Sequence, residues 1–285
     1  MKISASHFKR YREILALLWK YGRSDIVQQM NSDEGFGTAE ELNLPPSDGK
    51  SPDSAVSPDQ LVDDLEAMGP TYIKLGQVLA GRPDLLPENY LKALERLQDK
   101  VKPFPYEEVE QIVMTELGAR ISKAFSHFDV EPVAAASLGQ VHNAALRDGR
   151  EVVVKVQRPN IRQQIAEDFE VLEQIAGFLD GHTELGRRHR FLKLLEEFRL
   201  TIQQELNYER EAHNLVTVGK NLEKFSLIQV PQPVTGYFTR SVLTMDRVQG
   251  QKITALGPLA RMELKGAALA EELFKAYLQQ VLVDG

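Results

Sequence analysis

The residue most clearly suited to a chemical role is Lys155, which follows the valine run at 152–154. Such a run predicts a β-strand, so the lysine ammonium would stand in a largely apolar sheet. A cation in that position is costly unless anions meet it, and phosphate oxygens together with one carboxylate would do so. The alternative is a solvated lysine near a sheet edge, which is the commoner situation for a strand lysine.

The segment before this strand has the character of a phosphate-binding loop in which alanine replaces glycine. It reads AAASLGQ from Ala134 onward. The Cβ atoms of Ala134, Ala135 and Ala136 restrict the approach of the backbone to phosphates, so the sequence predicts a selective nucleotide site. Ser137 and Gln140 could reach phosphate oxygens, or they could equally cap the turn.

A polar pair stands on an earlier predicted helix. Lys74 and Gln77 are three residues apart in the stretch TYIKLGQVLA, so both side chains project from one side of the helix. Taken alone, the pair is equally typical of a surface on which Gly76 permits close packing of a neighbouring helix.

An acidic motif, ELNYEREA, occupies residues 205–212. The helical pattern around it is continuous over 191–222. At 100° per residue, Glu205 and Glu211 point about 240° apart, whereas Asn207 shares the face of Glu211. One helix could therefore serve two cations, although a solvated charged face is the usual role of such a run.

The remaining pattern predicts an α+β chain in which helices come first and a helical region separates two groups of strands. A tight polar turn at 147–150 joins two extended runs between Val130 and Val156. A second strand pair is predicted at 226–230 and 236–245. Helices are predicted at 57–69, 71–80, 87–98, 106–117, 161–179, 191–222 and 259–283.

Composition limits the classes of function. The chain has 285 residues, 34 of them basic and 41 acidic, so its net charge of −7 gives no broad electrostatic reason to expect nucleic acid. It contains no cysteine, which excludes disulfides, thiolate metal sites and cysteine nucleophiles. His127 and His142 lack partners at metal-ligand spacing, so no metal site is predicted and both are expected to be structural.

The N-terminal residues 1–30 predict an amphipathic helix without the pattern of a signal peptide. Its apolar stripe lies amid basic residues, so the helix could rest on an anionic membrane surface. Docking of the stripe on the rest of the protein is more common and is favoured. Residues 31–58, rich in Gly, Pro, Ser and acidic side chains, predict a flexible linker. The stripe consists of Phe8, Tyr11, Leu15, Leu18 and Trp19.

Together these motifs resemble those of the atypical kinase family known as ABC1, UbiB, ADCK or AarF. The resemblance extends in order over residues 57–285. The matching segments are the Lys-x-Gly-Gln signature at 74–77, RPDLLP at 82–87, the alanine loop with Lys155, the acidic motif at 205–212, and a hinge at 243–250.

The resemblance implies a protein-kinase-like small lobe with an antiparallel sheet and helices, an N-terminal helical extension, and a truncated helical large lobe. It assigns Lys155 and Glu211 to catalysis, with Lys155 contacting phosphates and Glu211 orienting the lysine. The backbone near Met245, Asp246 and Val248 would bind the adenine edge, while the alanine loop would bind phosphates.

The resemblance also implies a regulatory group. It pairs Glu205 with Lys74, which would tie the helical extension to the kinase-like core, and it places Lys74 and Gln77 on the side that covers the cleft. The acidic motif of the family normally reads Glu-x-Asp, whereas this chain has Asn207. The amide keeps hydrogen bonding but removes a charge, so a cation role at this position is in doubt.

ATP and Mg²⁺ are the implied cofactors, and the implied role is support of isoprenoid quinone biosynthesis of the ubiquinone type. The implied partners are a nucleotide and a lipid or quinone precursor. The implied location is cytoplasmic, with peripheral contact on the inner face of a membrane. The competing interpretation is a non-catalytic module that binds lipid or a protein partner, in which Lys155 is structural.

The catalytic loop and metal motif of the family, His-x-Asp with Asn and then Asp-Phe-Gly, have no counterpart before Gly285. The sequence therefore predicts either a fragment of a longer kinase or ATPase, which is favoured, or a short form that at most binds nucleotide. The expected divisions are the N-terminal helix 1–30, the linker 31–58, the helical extension 59–127, the kinase-like lobe 128–249 and the start of the large lobe 250–285.

Overall fold

The computed structural model describes residues 5–22, 57–97, 101–250, 253, 256–257 and 266–284. These residues form helices and an antiparallel sheet, which is the predicted α+β class. The helices are α1 (Ala5–Gly22), α2 (Pro58–Met68), α3 (Pro70–Ala80), α4 (Glu88–Leu94), α5 (Tyr106–Leu117), α6 (Ile121–Ala124), α7 (Ile161–His182), α8 (Glu184–His189), α9 (Phe191–Glu205), α10 (Tyr208–Asn221) and α11 (Gly266–Gln279). The strands are β1 (Phe125–Phe128), β2 (Ala134–Ala135), β3 (Gly139–Leu146), β4 (Glu151–Gln157), β5 (Pro233–Phe238) and β6 (Val242–Asp246).

The chain separates into two compact units. We call them the helical unit and the sheet unit, and all the strands listed above belong to the sheet unit. The helical unit comprises Met1–Lys102, Ala136–Leu138 and Asn160–Gln204. The sheet unit comprises Pro103–Ala135, Gly139–Pro159 and Glu205–Gly285.

Helices of the helical unit begin and end at residues that the sequence marks. Ser57 caps α2, because its hydroxyl oxygen accepts a hydrogen bond from the Gln60 amide at 3.3 Å, and Pro58 takes the first helical position. Gly69 ends α2 and Gly81 ends α3, as predicted. The core of the unit includes the buried side chains of Ile14, Tyr21, Leu61, Leu65, Tyr72, Ile73, Tyr90, Leu94 and Val171.

Helix α1 packs into this core, so the docked interpretation of the N-terminal helix is confirmed. Ile14 and Tyr21 are buried, and Arg10 Nε lies 2.8 Å from Asp168 Oδ1 on α7. Leu15, which was predicted to belong to the docked stripe, is 41% exposed instead. The buried face of α1 runs through Ile14 and Tyr21, and Leu15 follows Ile14 by one residue and so points away from it.

Several predictions for the chain ends fall outside the described residues. They concern the side chains of Phe8, Leu18 and Trp19, most of the linker at 31–58, and the start of the final helix at Leu259. The described part of that final helix is α11, which continues into a π-helical turn at Gln280–Asp284. Among the described helices, none has both the length and the apolar character needed to cross a membrane.

The sheet of the sheet unit has the strand order β1-β3-β4-β6-β5, and the short β2 pairs with β3. All of these pairings are antiparallel. The predicted turn at 147–150 joins β3 to β4, so the central hairpin forms where the sequence placed it. Buried side chains on the core face include Phe125, Ala144, Leu146, Val152, Val154, Val156 and Val242.

The prediction of one continuous helix over 191–222 is wrong. Helix α9 ends at Glu205 and α10 starts at Tyr208. Between them Asn207 leaves the helical conformation, with φ −107° and ψ 89°. The side chain of this asparagine bonds to the backbone of the next helix, which is the usual way in which Asn competes with a helix interior.

The second strand pair is displaced from its predicted position. Residues 226–230 form no strand, and 236–245 was predicted as a single strand although it contains the turn between β5 and β6. Thr239 shapes this turn, because its hydroxyl oxygen accepts hydrogen bonds from the amides of Ser241 and Val242 at 3.3 and 3.2 Å. The helix predicted at 87–98 is also shorter, since α4 ends at Leu94.

Candidate functional site

The candidate site is centred on an ion pair between a strand and a helix. Lys155 Nζ on β4 donates hydrogen bonds to both carboxylate oxygens of Glu211 on α10, at 2.9 Å to Oε1 and 2.7 Å to Oε2. The side chains of Lys155 and Glu211 are 29% and 33% exposed, so a ligand can reach the pair. The pairing expected for these two residues is therefore present.

Strand geometry decides which way Lys155 points. Successive side chains of a strand alternate between the two faces of the sheet, and Val152, Val154 and Val156 are completely buried on the core face. Lys155 lies on the opposite face. Strand β4 has β3 on one side and β6 on the other, so Lys155 stands in the interior of the sheet. The alternative interpretation of Lys155 as a solvated lysine near a sheet edge is therefore wrong.

Tyr208 completes the surroundings of the lysine, although the sequence did not single it out. Its ring centroid lies 4.5 Å from Lys155 Nζ, which is within the range of a cation–π contact. Tyr208 and Glu211 stand three residues apart on α10 and so share one side of the helix. This spacing was visible in the sequence, but a tyrosine at a helix start carries no chemical signature of its own.

Two polar side chains fix the start of α10. The Asn207 side chain accepts a hydrogen bond from the Arg210 amide at 3.2 Å and caps the helix. Gln157, at the end of β4, donates from Nε2 to the Leu206 carbonyl oxygen at 3.0 Å. Glu211 lies in the first turn, where the helix dipole favours a carboxylate. Asn207 precedes the helix, so its predicted position on the face of Glu211 is wrong.

The residues expected to be regulatory are divided between the two units. Lys74 and Gln77 are half-buried on α3 of the helical unit, and Gln77 Nε2 donates to the Leu97 carbonyl oxygen at 3.5 Å. Glu205 is exposed at the end of α9, and its pairing with Lys74 stays a prediction. Gly76 permits close packing, because a Cβ at this position would stand only 2.3 Å from Leu97 Cδ1.

The alanine loop has an accessible part and a buried part. Ala134 is exposed, Ala135 and Ala136 are half-buried, and Ser137 is completely buried. Ala134 and Ala135 form β2, so the loop is held against β3 by the sheet ladder. The three alanines are therefore the part of the loop that a ligand can approach.

Gln140 belongs to a buried hydrogen-bond network. Its Oε1 accepts from the Phe104 amide at 2.9 Å, and its Nε2 lies 3.0 Å from His142 Nε2. His142 Nδ1 lies 2.8 Å from the Asp129 carbonyl oxygen, and burial lowers the pKa of this imidazole. A neutral imidazole that donates from Nδ1 and accepts at Nε2 satisfies both contacts. Gln140 therefore has a structural role, and phosphate contact would require its bonds to break.

The predicted hinge at 243–250 overlaps β6 and continues beyond the end of this strand at Asp246. The Asp246 amide donates to the Gln232 carbonyl oxygen at 3.0 Å, and the Asp246 carboxylate accepts from Arg150 Nε at 2.9 Å. Met245 belongs to β6 itself. Val248 lies beyond the strand and is 46% exposed, so it is the most accessible of the three residues expected to meet adenine.

Comparisons with known proteins point to one family. A family model described as the ABC1 atypical kinase-like domain matches residues 96–285. A probable protein kinase UbiB from Cellvibrio japonicus is 39% identical over 216 residues, which cover 76% of this chain and 39% of that protein. The protein ACTIVITY OF BC1 COMPLEX KINASE 8, chloroplastic, from Arabidopsis thaliana is 37% identical over 79% of this chain and 30% of its own length.

Among solved structures, this chain is similar to that of Rv3197 from Mycobacterium tuberculosis in complex with erythromycin. The identity is 27% and the TM-score 0.46, over 69% of this chain and 49% of that one. The chain spans about two fifths of the length of the UbiB relative that it matches.

Proposed function

Because the chain belongs to the ABC1 atypical kinase-like family, we propose that it forms the nucleotide-binding part of an atypical kinase or ATPase. Lys155 contacts the phosphates of ATP, and Glu211 holds the lysine in place. The alanines at 134–136 approach the phosphates, and the backbone at Val248 meets the adenine. The observation that carries the proposal is the ion pair between Lys155 and Glu211 in the interior of the sheet.

The geometry of the pair suits a phosphate ligand. An ammonium group has three donors, and Glu211 accepts from Lys155 at 2.9 and 2.7 Å, which leaves donor capacity for a ligand oxygen. A phosphate would supply further anionic contact for a cation on an apolar sheet. Phosphoryl transfer depends mainly on positioning and on neutralisation of charge, and a lysine oriented by a carboxylate contributes to both.

Magnesium accompanies the nucleotide in this proposal and neutralises part of the phosphate charge. Within the ranges that the structure describes, no three His, Asp or Glu residues are arranged as a metal site. The proposal therefore gives no residue of this chain the role of metal ligand.

For the whole protein we propose a role in support of isoprenoid quinone biosynthesis, exercised at a membrane surface with a lipid or quinone precursor as partner. Similarity to proteins named UbiB supports this role, and the similarity covers about two fifths of such a relative.

Binding of ATP with magnesium tests the proposal directly. We expect ATP to raise the melting temperature of the chain and Lys155→Met to abolish the shift, because the variant lacks the ammonium that contacts phosphate. Glu211→Gln should weaken ATP binding by about tenfold, or about 1.4 kcal/mol, because the lysine loses its charged partner. Thermal shift and isothermal titration calorimetry measure these effects.

A matched control is available in the same unit. Lys275→Met removes an exposed lysine whose Nζ lies 2.6 Å from Glu271, and this variant should bind ATP like the wild type. Wild-type protein that shows no ATP-dependent shift would refute the proposal. Equal ATP affinity in Lys155→Met would refute it as well.

A non-catalytic module that binds lipid or a protein partner is the second candidate. The N-terminal helix, which would have served this role, has part of its surface packed in the core of the helical unit. Exposed apolar side chains on α11 and the turn after it support this candidate better than the N-terminal helix does, since exposed apolar groups often mark binding surfaces. Co-sedimentation with liposomes without any ATP-dependent shift would favour this candidate. The exposed side chains are Leu273, Phe274, Tyr277, Val281, Leu282 and Val283.

A further inference from the structure

We propose that Tyr208 is a positioning residue of this site, whose aromatic ring holds the Lys155 ammonium in the orientation that receives a phosphate. The inference rests on the proposed nucleotide-binding function and deepens it. Tyr208 acts through Lys155 and need not touch the nucleotide.

The contacts of Lys155 carry the proposal. Its Nζ atom lies 4.5 Å from the Tyr208 ring centroid and within 2.9 Å of both carboxylate oxygens of Glu211. The ion pair alone is partly exposed, and exposed ion pairs hold long side chains weakly. The ring supplies a second support from a different group, so the ammonium is held from two directions.

The ring is itself firmly placed. Tyr208 is almost completely buried, and its side chain packs in a cluster with Ala212 and Leu243. Its backbone amide donates to the Arg240 carbonyl oxygen at 3.3 Å. Motion of the ring would therefore require motion of α10 or of the sheet.

Gly139 at the start of β3 makes room for the tyrosine. A Cβ at this position would stand 2.8 Å from the Tyr208 hydroxyl oxygen and 2.5 Å from the Val156 carbonyl oxygen. Both distances are too short for a real contact. Only a glycine at position 139 therefore leaves space for the tyrosine at the start of α10.

A ring suits this place better than a second carboxylate would. The face of an aromatic ring carries partial negative charge and attracts a cation, yet the ring has no net charge. It can support the ammonium without strong repulsion of an incoming phosphate. A carboxylate in its place would compete with the phosphate for the same lysine.

Fluorination of the ring tests this role, because it changes the electrostatics of the face while largely keeping the shape. Tyr208→Phe should keep ATP affinity within about twofold, since the ring face remains. Perfluorinated phenylalanine at position 208 should weaken ATP binding by about tenfold, as expected for loss of a partly desolvated cation–π contact. Calorimetry measures the affinities.

A second readout does not depend on nucleotide. Acylation of Lys155 by an N-hydroxysuccinimide ester, followed by mass spectrometry, reports how firmly the amine is held. The perfluorinated variant should react several-fold faster than Tyr208→Phe, which should match the wild type. Tyr237→Leu is the control: it alters an aromatic contact with Phe125 at 5.6 Å in the same unit and should leave Lys155 acylation unchanged.

The two readouts separate the inference from the proposed function. If wild-type protein binds no ATP but acylation follows the expected order, the proposed function fails and the positioning of Lys155 by Tyr208 stands. If the perfluorinated and plain phenylalanine variants show equal acylation of Lys155, the positioning role is overturned, whatever the ATP affinities. Faster acylation in Tyr237→Leu would also overturn it, because the effect would then follow general loosening of the unit.

Discussion

At the scale of single residues, charged side chains in this chain are accommodated in two ways. Lys155 is partly exposed and has both a carboxylate and an aromatic ring for support. Asp168 in the helical unit is only 1% exposed; it accepts from Thr71 Oγ1 at 2.5 Å and pairs with Arg10 at 2.8 Å. Burial raises the pKa of Asp168, and its bonds to Thr71 and Arg10 offset only part of this effect.

This raised pKa predicts a pH dependence of stability. The folded chain binds a proton at Asp168 more tightly than the unfolded chain does, because the folded pKa lies above the ordinary value of 3.8. Protonation therefore favours the folded state as the pH falls through the folded pKa. We expect the free energy of unfolding of the wild type, relative to Asp168→Asn, to increase as the pH falls from neutral toward the folded pKa of Asp168. Urea unfolding over a series of pH values measures the difference.

Asp84 provides a control with the opposite shift. Its hydrogen bonds with Arg82 lower the pKa of this carboxyl to about 2. The folded and unfolded pKa values of Asp84 both lie below about 5, so the stability of the wild type relative to Asp84→Asn should be constant over the same range. A constant difference for Asp168→Asn as well would contradict the prediction.

Residue types explain which parts of the site could be predicted. A lysine after a valine run and a glutamate in an acidic motif are unusual enough to stand out, and the expected pairing of Lys155 with Glu211 is present. Tyr208 has no such signature, because tyrosine is a common core residue. The bonds from Gln140 to Phe104 join positions 36 residues apart, and no local pattern indicates such a contact.

At the scale of elements, the break between α9 and α10 is the main departure from the predicted structure. Each side of the break has its own four-residue spacing of buried side chains: Ile202 and Leu206 lie before α10, and Tyr208 and Ala212 lie on it. At 100° per residue, Leu206 and Tyr208 would point about 200° apart on one continuous helix, so the buried face changes at the break. This shift in the apolar spacing indicates two helices rather than one. The deciding contacts are tertiary, since Gln157 of β4 binds the Leu206 carbonyl oxygen and strengthens the break.

The cap of α10 gives a prediction about position 207. Asn207→Ala should lower the free energy of unfolding by about 1 kcal/mol, because the Arg210 amide loses its acceptor. Asn207→Asp should leave stability equal or higher, by up to about 1 kcal/mol, since a carboxylate keeps the cap and interacts favourably with the helix dipole. Urea unfolding followed by circular dichroism measures both variants.

Ser57→Ala is the matched control, because the Ser57 side chain caps α2 of the helical unit by accepting from the amide three residues later, as Asn207 does in α10. It should cost similar stability but leave ATP affinity unchanged, whereas Asn207→Ala should also weaken ATP binding because α10 carries Glu211. An Asn207→Asp variant clearly less stable than the wild type would contradict the interpretation of Asn207 as a helix cap.

At the scale of the whole molecule, the two compact units are not consecutive stretches of sequence. The chain enters the sheet unit at Pro103, leaves it for Ala136–Leu138 and again after Pro159, and returns at Glu205. Lys155, Tyr208 and Glu211 all belong to the sheet unit, whereas Ala136 of the alanine loop belongs to the helical unit. Sequence patterns identify the helices of both units, but a pattern read along the chain cannot show that 160–204 clusters with the N-terminal helices, because that grouping depends on contacts distant in sequence.

This arrangement predicts which segments of the chain nucleotide binding will stabilise most. A ligand that binds only the folded state stabilises it by about 2.7 kcal/mol at a concentration a hundredfold above its Kd, and amide exchange slows most in segments that open with the binding site. With ATP and magnesium we therefore expect the largest slowing of hydrogen exchange in β3, β4 and α10, measured by mass spectrometry. Lys155→Met under the same conditions should show no slowing. If the largest effect instead appeared in α2 and α3, the nucleotide would bind elsewhere and the candidate site would be misassigned.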